Sequence, residues 1–284
     1  MTERLAETTK RIDSVQQLET VVAAMRGISA SRSQQARGLL TGLRAYEATI
    51  AASIGQTLGM SPVHQHPGAA RASRNALIVF AAEQGFAGAF NDRMLDSAGD
   101  GSGARDIFLV GSRGVTLAKE RGLPLYWHAA MVPHANLVAG LAGRIADALY
   151  DWLSDASENR VDVIVPAWSA EHGVGASRRT LLPFDFHRFA PVTSALPPLT
   201  DMPPDVLLGR LAEEYVFAEL CEAALSAFAA ENDARVAAML AAKNNLETMS
   251  ADLRGLARQI RQEEITAEVV ELASGAAARG QDNP

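Results

Sequence analysis

The turn Glu83-Gln-Gly-Phe-Ala-Gly-Ala-Phe-Asn91 holds the residue types that cradle phosphates. Gly85 and Gly88 would let backbone N–H groups approach an anion at a strand-to-helix turn. The spacing is G-x-x-G, not the G-x-G-x-x-G of dinucleotide sites, and no acidic residue closes an unambiguous second strand. A tight turn accounts for these glycines better than a nucleotide does. Ser112 and Arg113, in Val110-Gly-Ser-Arg-Gly114, could hold an anion at a helix start, yet serine is also an ordinary N-cap. No G-x-x-x-x-G-K-[ST] pattern occurs, so ATP is not bound through a P-loop.

Other chemistry is equally thin. The histidines at 64, 66, 128, 134, 172 and 187 are scattered, and His64-Gln-His66 has no third ligand beside it. No G-x-S-x-G elbow accompanies the serines. Cys221, the single cysteine, sits among Leu220, Ala223 and Ala224, which makes it a small core residue and excludes a disulfide framework. No catalytic, cofactor-binding or metal site is expected.

Composition agrees with a structural role. Of 284 residues, 48% are hydrophobic, enough for a sizeable core, and only 6% are aromatic. The net charge of −7 argues against nucleic acid and against an anionic membrane surface. No apolar run approaches the roughly 18 residues of a membrane span, and the charged start Met1-Thr-Glu-Arg-Leu-Ala-Glu does not read as a signal peptide.

The elements that would position any site fall into three parts: residues 1–58, 59–204 and 205–284. From Leu5 to about Leu58 there is no proline, and Ile12, Val15, Leu18, Val22, Met25 and Ile28 recur at helical steps. Leu39, Leu43, Tyr46, Ile50 and Ile54 continue the stripe. After Pro203-Pro204 a second helical stripe runs from Leu207 through Met239 and Leu256 to Leu272, with Gly275 as the expected stop. Narrow stripes on two long helices predict an antiparallel coiled coil. Arg26, Arg32, Arg37 and Arg44 on the first helix and a predominantly acidic second helix suit that pairing, though solvated helix faces account for the charges equally well.

Between them the chain reads as an α/β head. Ala76–Ala81, Asp106–Val110, Leu123–Trp127, Val161–Val165 and Leu181–Phe189 are the expected strands, with Pro124 keeping the third short or at an edge. Helices are expected around Val115–Glu120 and over Asn136–Leu153, and residues 61–73 as a linker. Strands alternating with helices predict a mostly parallel, Rossmann-like sheet.

Several blocks carry a resemblance. Ile12-Asp-Ser-Val, Ala24-Met25, and Ala45-Tyr46-Glu47 resemble the first helix of the gamma subunit of rotary F-type ATP synthases. Glu231-Asn-Asp-Ala-Arg235, Ala238-Met239 and Asn245 resemble that family's S-E-x-x-A-R-M-x-A-M-x-x-A-x-x-N. Arg261-Gln262-Glu-Glu-Ile265-Thr266-Ala-Glu268, followed by Ser274-Gly275-Ala276, resembles its R-Q-x-x-I-T-x-E ending, and Gly85–Asn91 is similar to G-L-C-G-x-x-N. Gln17-Leu18 replaces the usual Asn-Thr pair, and Thr200-Asp201-Met202-Pro203 replaces Y-E-P-D, so the chain looks like a divergent branch, as in an alternative bacterial ATPase.

The resemblance implies a non-catalytic shaft turning inside a ring of three alpha and three beta subunits. The head would meet the epsilon subunit and the membrane c-ring, on the cytoplasmic side of a bacterial inner membrane. It implies no cofactor, no nucleic acid and no insertion into the membrane. Met25, Gln262, Thr266 and Glu268 match the positions that contact the beta subunit, and Asp201 falls in the foot that faces epsilon and the c-ring. Two other readings compete: a Rossmann-type enzyme using Gly85, Gly88 and Ser112, its flanking helices serving to oligomerise, and a coiled-coil adaptor.

Overall fold

A computed structural model describes residues 3–60, 74–99, 105–153, 159–193 and 198–280, of which 274–280 are described as backbone only. The linker with His64 and His66 lies outside these residues. Two helices dominate: α1 over Glu3–Met60 and α5 over Pro204–Gly280. Without an internal proline neither ladder is interrupted, and α5 extends to roughly 115 Å at 1.5 Å per residue. It does not stop at Gly275 but continues to Gly280.

Ser29–Val236 form one compact unit. At its centre are β1 (Arg74–Phe80), β2 (Arg105–Val110), β3 (Leu125–Ala129), β4 (Asn159–Ser169) and β5 (Gly173–Leu182), in the order β3-β2-β1-β4-β5. Three pairings are parallel, and β4–β5 is an antiparallel hairpin. β3 starts just after Pro124 and lies at the edge. The expected strand over Leu181–Phe189 is corrected: only its first two residues belong to β5, and Phe186–Arg188 is a 3₁₀ turn. The strand itself, Gly-Val-Gly-Ala-Ser-Arg-Arg-Thr-Leu-Leu, is an edge strand with only two buried residues, so it carries little apolar signal.

Alternate residues of β1 serve opposite faces. Ala76, Ile78 and Phe80 pack with Leu141, Ile145 and Trp152 of α4 (Val138–Leu153) and with Leu220–Ala229 of α5. Leu77 and Val79 pack with Phe90, Met94 and Leu95 of α2 (Phe90–Ala98) and Ala118 of α3 (Ser112–Glu120). A third cluster joins Ile50 and Ile54 of α1 to Phe189, Leu208 and Tyr215.

Within this unit α1 and α5 run antiparallel, as Ser33–Asp233, Arg37–Asp233, Arg44–Glu222 and Tyr46–Glu214 contacts show. Arg37 and Arg44 thus meet acids as expected. The seam differs from the expected stripe: Ser29, Ser33, Ala36 and Leu40 are buried, while Ile28, Leu39 and Tyr46 are exposed. Small residues on that line let a second helix come close, and the larger apolar groups one position away are turned outward.

Residues 190–193 return over the last turns of α1. Val192 N–H donates to Gly55 O at 2.9 Å. A Cβ on Gly55 would meet Ala190 O at 2.8 Å and one on Gly59 would meet Val192 O at 2.1 Å.

Met1–Ile28 with Ala237–Pro284 form the second compact unit. Its buried positions include Thr8 and Val15 on α1 and Met239, Ser250 and Ile260 on α5. Leu18, Met249, Leu256, Ile265, Val269, Val270 and Leu272 are exposed.

Candidate functional site

The parallel register brings the ends of β1, β2 and β3 together, where α/β sheets of this kind receive ligands. Here the position is filled from within. Glu83 Oε2 accepts from Ser112 N–H at 2.9 Å and from Met131 N–H at 2.8 Å, and Oε1 accepts from the Ser112 hydroxyl at 2.8 Å. The start of α3 therefore already faces a carboxylate, the charge a helix N-terminus favours. Gly111, at φ 115°, is required there, since a Cβ would lie 2.3 Å from Ala81 O.

The same turn is held from its other side by α5. Glu231 accepts from Glu83 N–H (3.2 Å) and Gln84 N–H (3.3 Å), while Arg235 donates to Glu231 (2.5 Å) and to Gly85 O (3.1 Å). Asn91 Oδ1 accepts from Ala82 N–H at 2.7 Å. The clamp presents Phe86 to solvent at φ 61°, a strained conformation for an aromatic residue.

These contacts dispose of the phosphate reading. Gly85 and Gly88 belong to a turn whose neighbouring N–H groups are spent on Glu231, and Ser112 is bonded to Glu83. Arg113 and Gly88 line a shallow hollow of about 280 Å³ beside Asp92 and Glu120, whose charge opposes an anion. Glu83 was missed from sequence because its partners are 29 and 48 residues away. Glu231 and Arg235 stood inside a recognised block, but nothing in that block indicated what they hold.

A second polar cluster lies where α1, β5 and α5 meet. Glu219 is fully buried; Arg188 donates to its Oε1 at 2.9 Å, and Oε2 has no partner among the described residues. Burial pushes its carboxyl above the usual glutamate range, more than Arg188 and Arg179 pull it down. Cys221 is buried among apolar neighbours, which pushes its thiol up to about 11. That suits packing, not nucleophilic chemistry.

Of the residues matched to a beta-subunit contact, Gln262, Thr266 and Glu268 are exposed on α5. Gln262 and Thr266 are one turn apart, and Thr266 Oγ1 donates to Gln262 O at 2.8 Å. Met25 is half-buried on α1 in the same compact unit. Asp201 is exposed in the bend just before α5 and belongs to the other unit. His128, His134, His172 and His187 are exposed and apart, and no cluster of metal-ligating side chains occurs among the described residues.

The fold is a five-stranded α/β sheet whose strand-end position is closed by Glu83, flanked in sequence by two long helices. A family model described as ATP synthase matches residues 4–278, and the chain belongs to that family, in its gamma-chain branch. The ATP synthase gamma chain of Clavibacter sepedonicus is 28% identical over 95% of this chain and 96% of its own length. That of Frankia casuarinae is 29% identical over 98% of each. The same fold occurs in the rotor of the Euglena gracilis mitochondrial ATP synthase, with a TM-score of 0.60 at 13% identity over 92% of this chain and 99% of that one. The central stalk of the Tetrahymena thermophila enzyme gives a TM-score of 0.55 at 15% identity over 78% of this chain and 99% of its own. Like its relatives, this chain is a non-catalytic subunit of a rotary ATP synthase.

Proposed function

We propose that the chain is the rotating central shaft of a bacterial F-type ATP synthase, turning with a membrane c-ring and imposing its asymmetry on each beta subunit in turn. The observation that carries this reading is the family match from residue 4 to 278, spanning both long helices and the head together. The Arg261–Glu268 block lies inside that match, and neither an enzyme with oligomerising helices nor an adaptor needs it. The exposed Ile265, Val269, Val270 and Leu272 suit an apolar sleeve formed by the alpha–beta ring, and exposed patches of this kind mark partner surfaces. Gln262, Thr266 and Glu268, with Met25, are the groups that would meet the beta subunit, and Asp201 the foot facing epsilon and the c-ring. No helix among the described residues is long and apolar enough to cross a membrane. The chain would therefore bind peripherally, on the cytoplasmic face of the inner membrane, through those partners.

Shaft action needs no bond chemistry. It requires only that each rotational position favour one of the beta subunit's conformations, which changes nucleotide affinity by population shift. Affinity purification of the tagged chain from its host membranes tests the reading. Recovery of alpha, beta and epsilon subunits with ATPase activity is expected; recovery of the chain without beta subunits would overturn it.

A further inference from the structure

Three strand ends converge on one carboxylate. Glu83 follows β1, and it accepts hydrogen bonds from Ser112, which follows β2, and from Met131, which follows β3. Its own N–H, and that of Gln84, are gripped by the two oxygens of Glu231 on α5. Arg235, one turn along, holds Glu231 and takes the carbonyls of Gln84 and Gly85. A chain of hydrogen bonds thus runs without a gap from α5 to the C-terminal ends of three strands.

The surroundings leave this chain little slack. Glu231, Asn232 and Arg235 are buried, so the Arg235–Glu231 and Arg235–Asn232 bonds are shielded from water. Gly114 brings α3 so close that a Cβ there would lie 2.1 Å from the Ala81 Cβ. Each half of the network has a separate effect. Glu231 and Arg235 bind α5 to the backbone of residues 83–85, whereas the Glu83 side chain adds a cross-tie from that turn to the β2 and β3 ends, beside the backbone bonds from Ala81 N–H to Val110 O (2.7 Å) and from Gly111 N–H to Ala129 O (2.9 Å).

We propose that Glu83 is a positioning residue that makes α5, the turn and the sheet one rigid joint, so that torsion applied to α5 enters the α/β head without local yielding. The proposal rests on the reading of the chain as a rotating shaft. Without the carboxylate, α5 would keep its grip on the turn, but only backbone bonds would hold the ends of β2 and β3 to β1, and under torsion those ends would slip. Work done on the shaft would then be dissipated in that slip.

The assembled ATP synthase, reconstituted in vesicles, tests this through the number of ions pumped per ATP hydrolysed. Glu83→Gln keeps the size of the side chain but gives the Ser112 and Met131 N–H groups a neutral amide oxygen in place of a charged carboxylate. The pumping ratio is expected to fall while ATP hydrolysis persists, and the amides of Ser112 and Met131 to exchange about ten-fold faster, the factor worth one hydrogen bond. In Glu83→Ala, added acetate is expected to restore the ratio by supplying the missing carboxylate, and chloride at equal ionic strength is not. An unchanged ratio in Glu83→Gln overturns the proposal, as does a lost ratio that acetate fails to restore. Should Glu83→Gln not assemble, Glu83→Asp is read for the same loss. A wild-type chain that forms no pumping complex would instead overturn the shaft reading itself.

Discussion

Ser33 donates its hydroxyl to Asp233 across the paired helices at 2.6 Å, and Arg37 takes the other carboxylate oxygen at 2.7 Å. Ser33 is 3% exposed, whereas the Arg37 side chain is 61% exposed. A shielded hydrogen bond outweighs a solvated ion pair. Ser33→Ala is expected to cost about 1–2 kcal/mol, and Arg37→Ala no more than about 1 kcal/mol. Urea denaturation of the two variants checks the order, and a larger loss for Arg37→Ala would refute it.

Glycines on α1 separate by what surrounds them. Gly38 and Gly42 have open space where a Cβ would stand. Replacing either with alanine is expected to stabilise the chain by about 0.5–1 kcal/mol, the propensity difference inside a helix. Gly55 and Gly59 lie flush against residues 190–193, so alanine there forces the returning segment off the helix. Melting temperatures of the four alanine variants should move up for the first two and down for the last two.

Two buried carboxyls give opposite pH dependences. Burial alone would push Asp162 up, but hydrogen bonds from Arg160, Thr180 and Arg178 outweigh it and hold the carboxyl below its ordinary value. A depressed folded pKa gives stability that is present above the ordinary value and lost as pH falls through the depressed one. Glu219 is raised by burial, so its ionised form costs stability above the raised pKa, and that cost disappears as pH falls towards the ordinary glutamate value. As pH falls, unfolding free energies should show the native chain gaining on Glu219→Gln between about pH 8 and about pH 4, and losing ground to Asp162→Asn only below about pH 4. Slopes of the same sign would contradict both assignments.

Cys221 supplies a probe of opening. With its thiol raised to about 11 and its side chain buried, it should resist maleimide at neutral pH in the folded chain and react at the rate of local unfolding. Labelling as fast as that of a free thiol would refute its placement.

How far the fold was legible depended on how its parts signal. Both long helices were readable because proline is missing and apolar residues recur at three- and four-residue steps. β1 and β2 were readable as continuous apolar runs, since both their faces are covered. β5 was not, because an edge strand carrying Arg178, Arg179 and Thr180 satisfies itself with Asp162 and Glu222 and needs few apolar residues. The seam was misread where Ser29, Ser33 and Ala36 replace larger side chains. Glu83 is a contact of tertiary register, and no local pattern announces it.

Thr266 has already given its hydroxyl hydrogen to Gln262 O, so it offers a partner only an acceptor. On the proposed shaft reading, a beta-subunit group that bonds to Thr266 would be a donor. Gln262→Leu combined with Thr266→Val is expected to lower ATP turnover of the assembled complex without altering subunit stoichiometry, and Thr266→Ser to preserve turnover. Unchanged turnover in the fully assembled double variant would remove both residues from the contact.

The carboxylate seated at the start of α3 also limits what this subunit can sense. Open α/β sheets bind soluble phosphates at this place, with an occupancy that follows concentration. Here the occupant is tethered, always present at unit stoichiometry and indifferent to concentration. A soluble phosphate could take that place only by displacing a carboxylate that holds three hydrogen bonds.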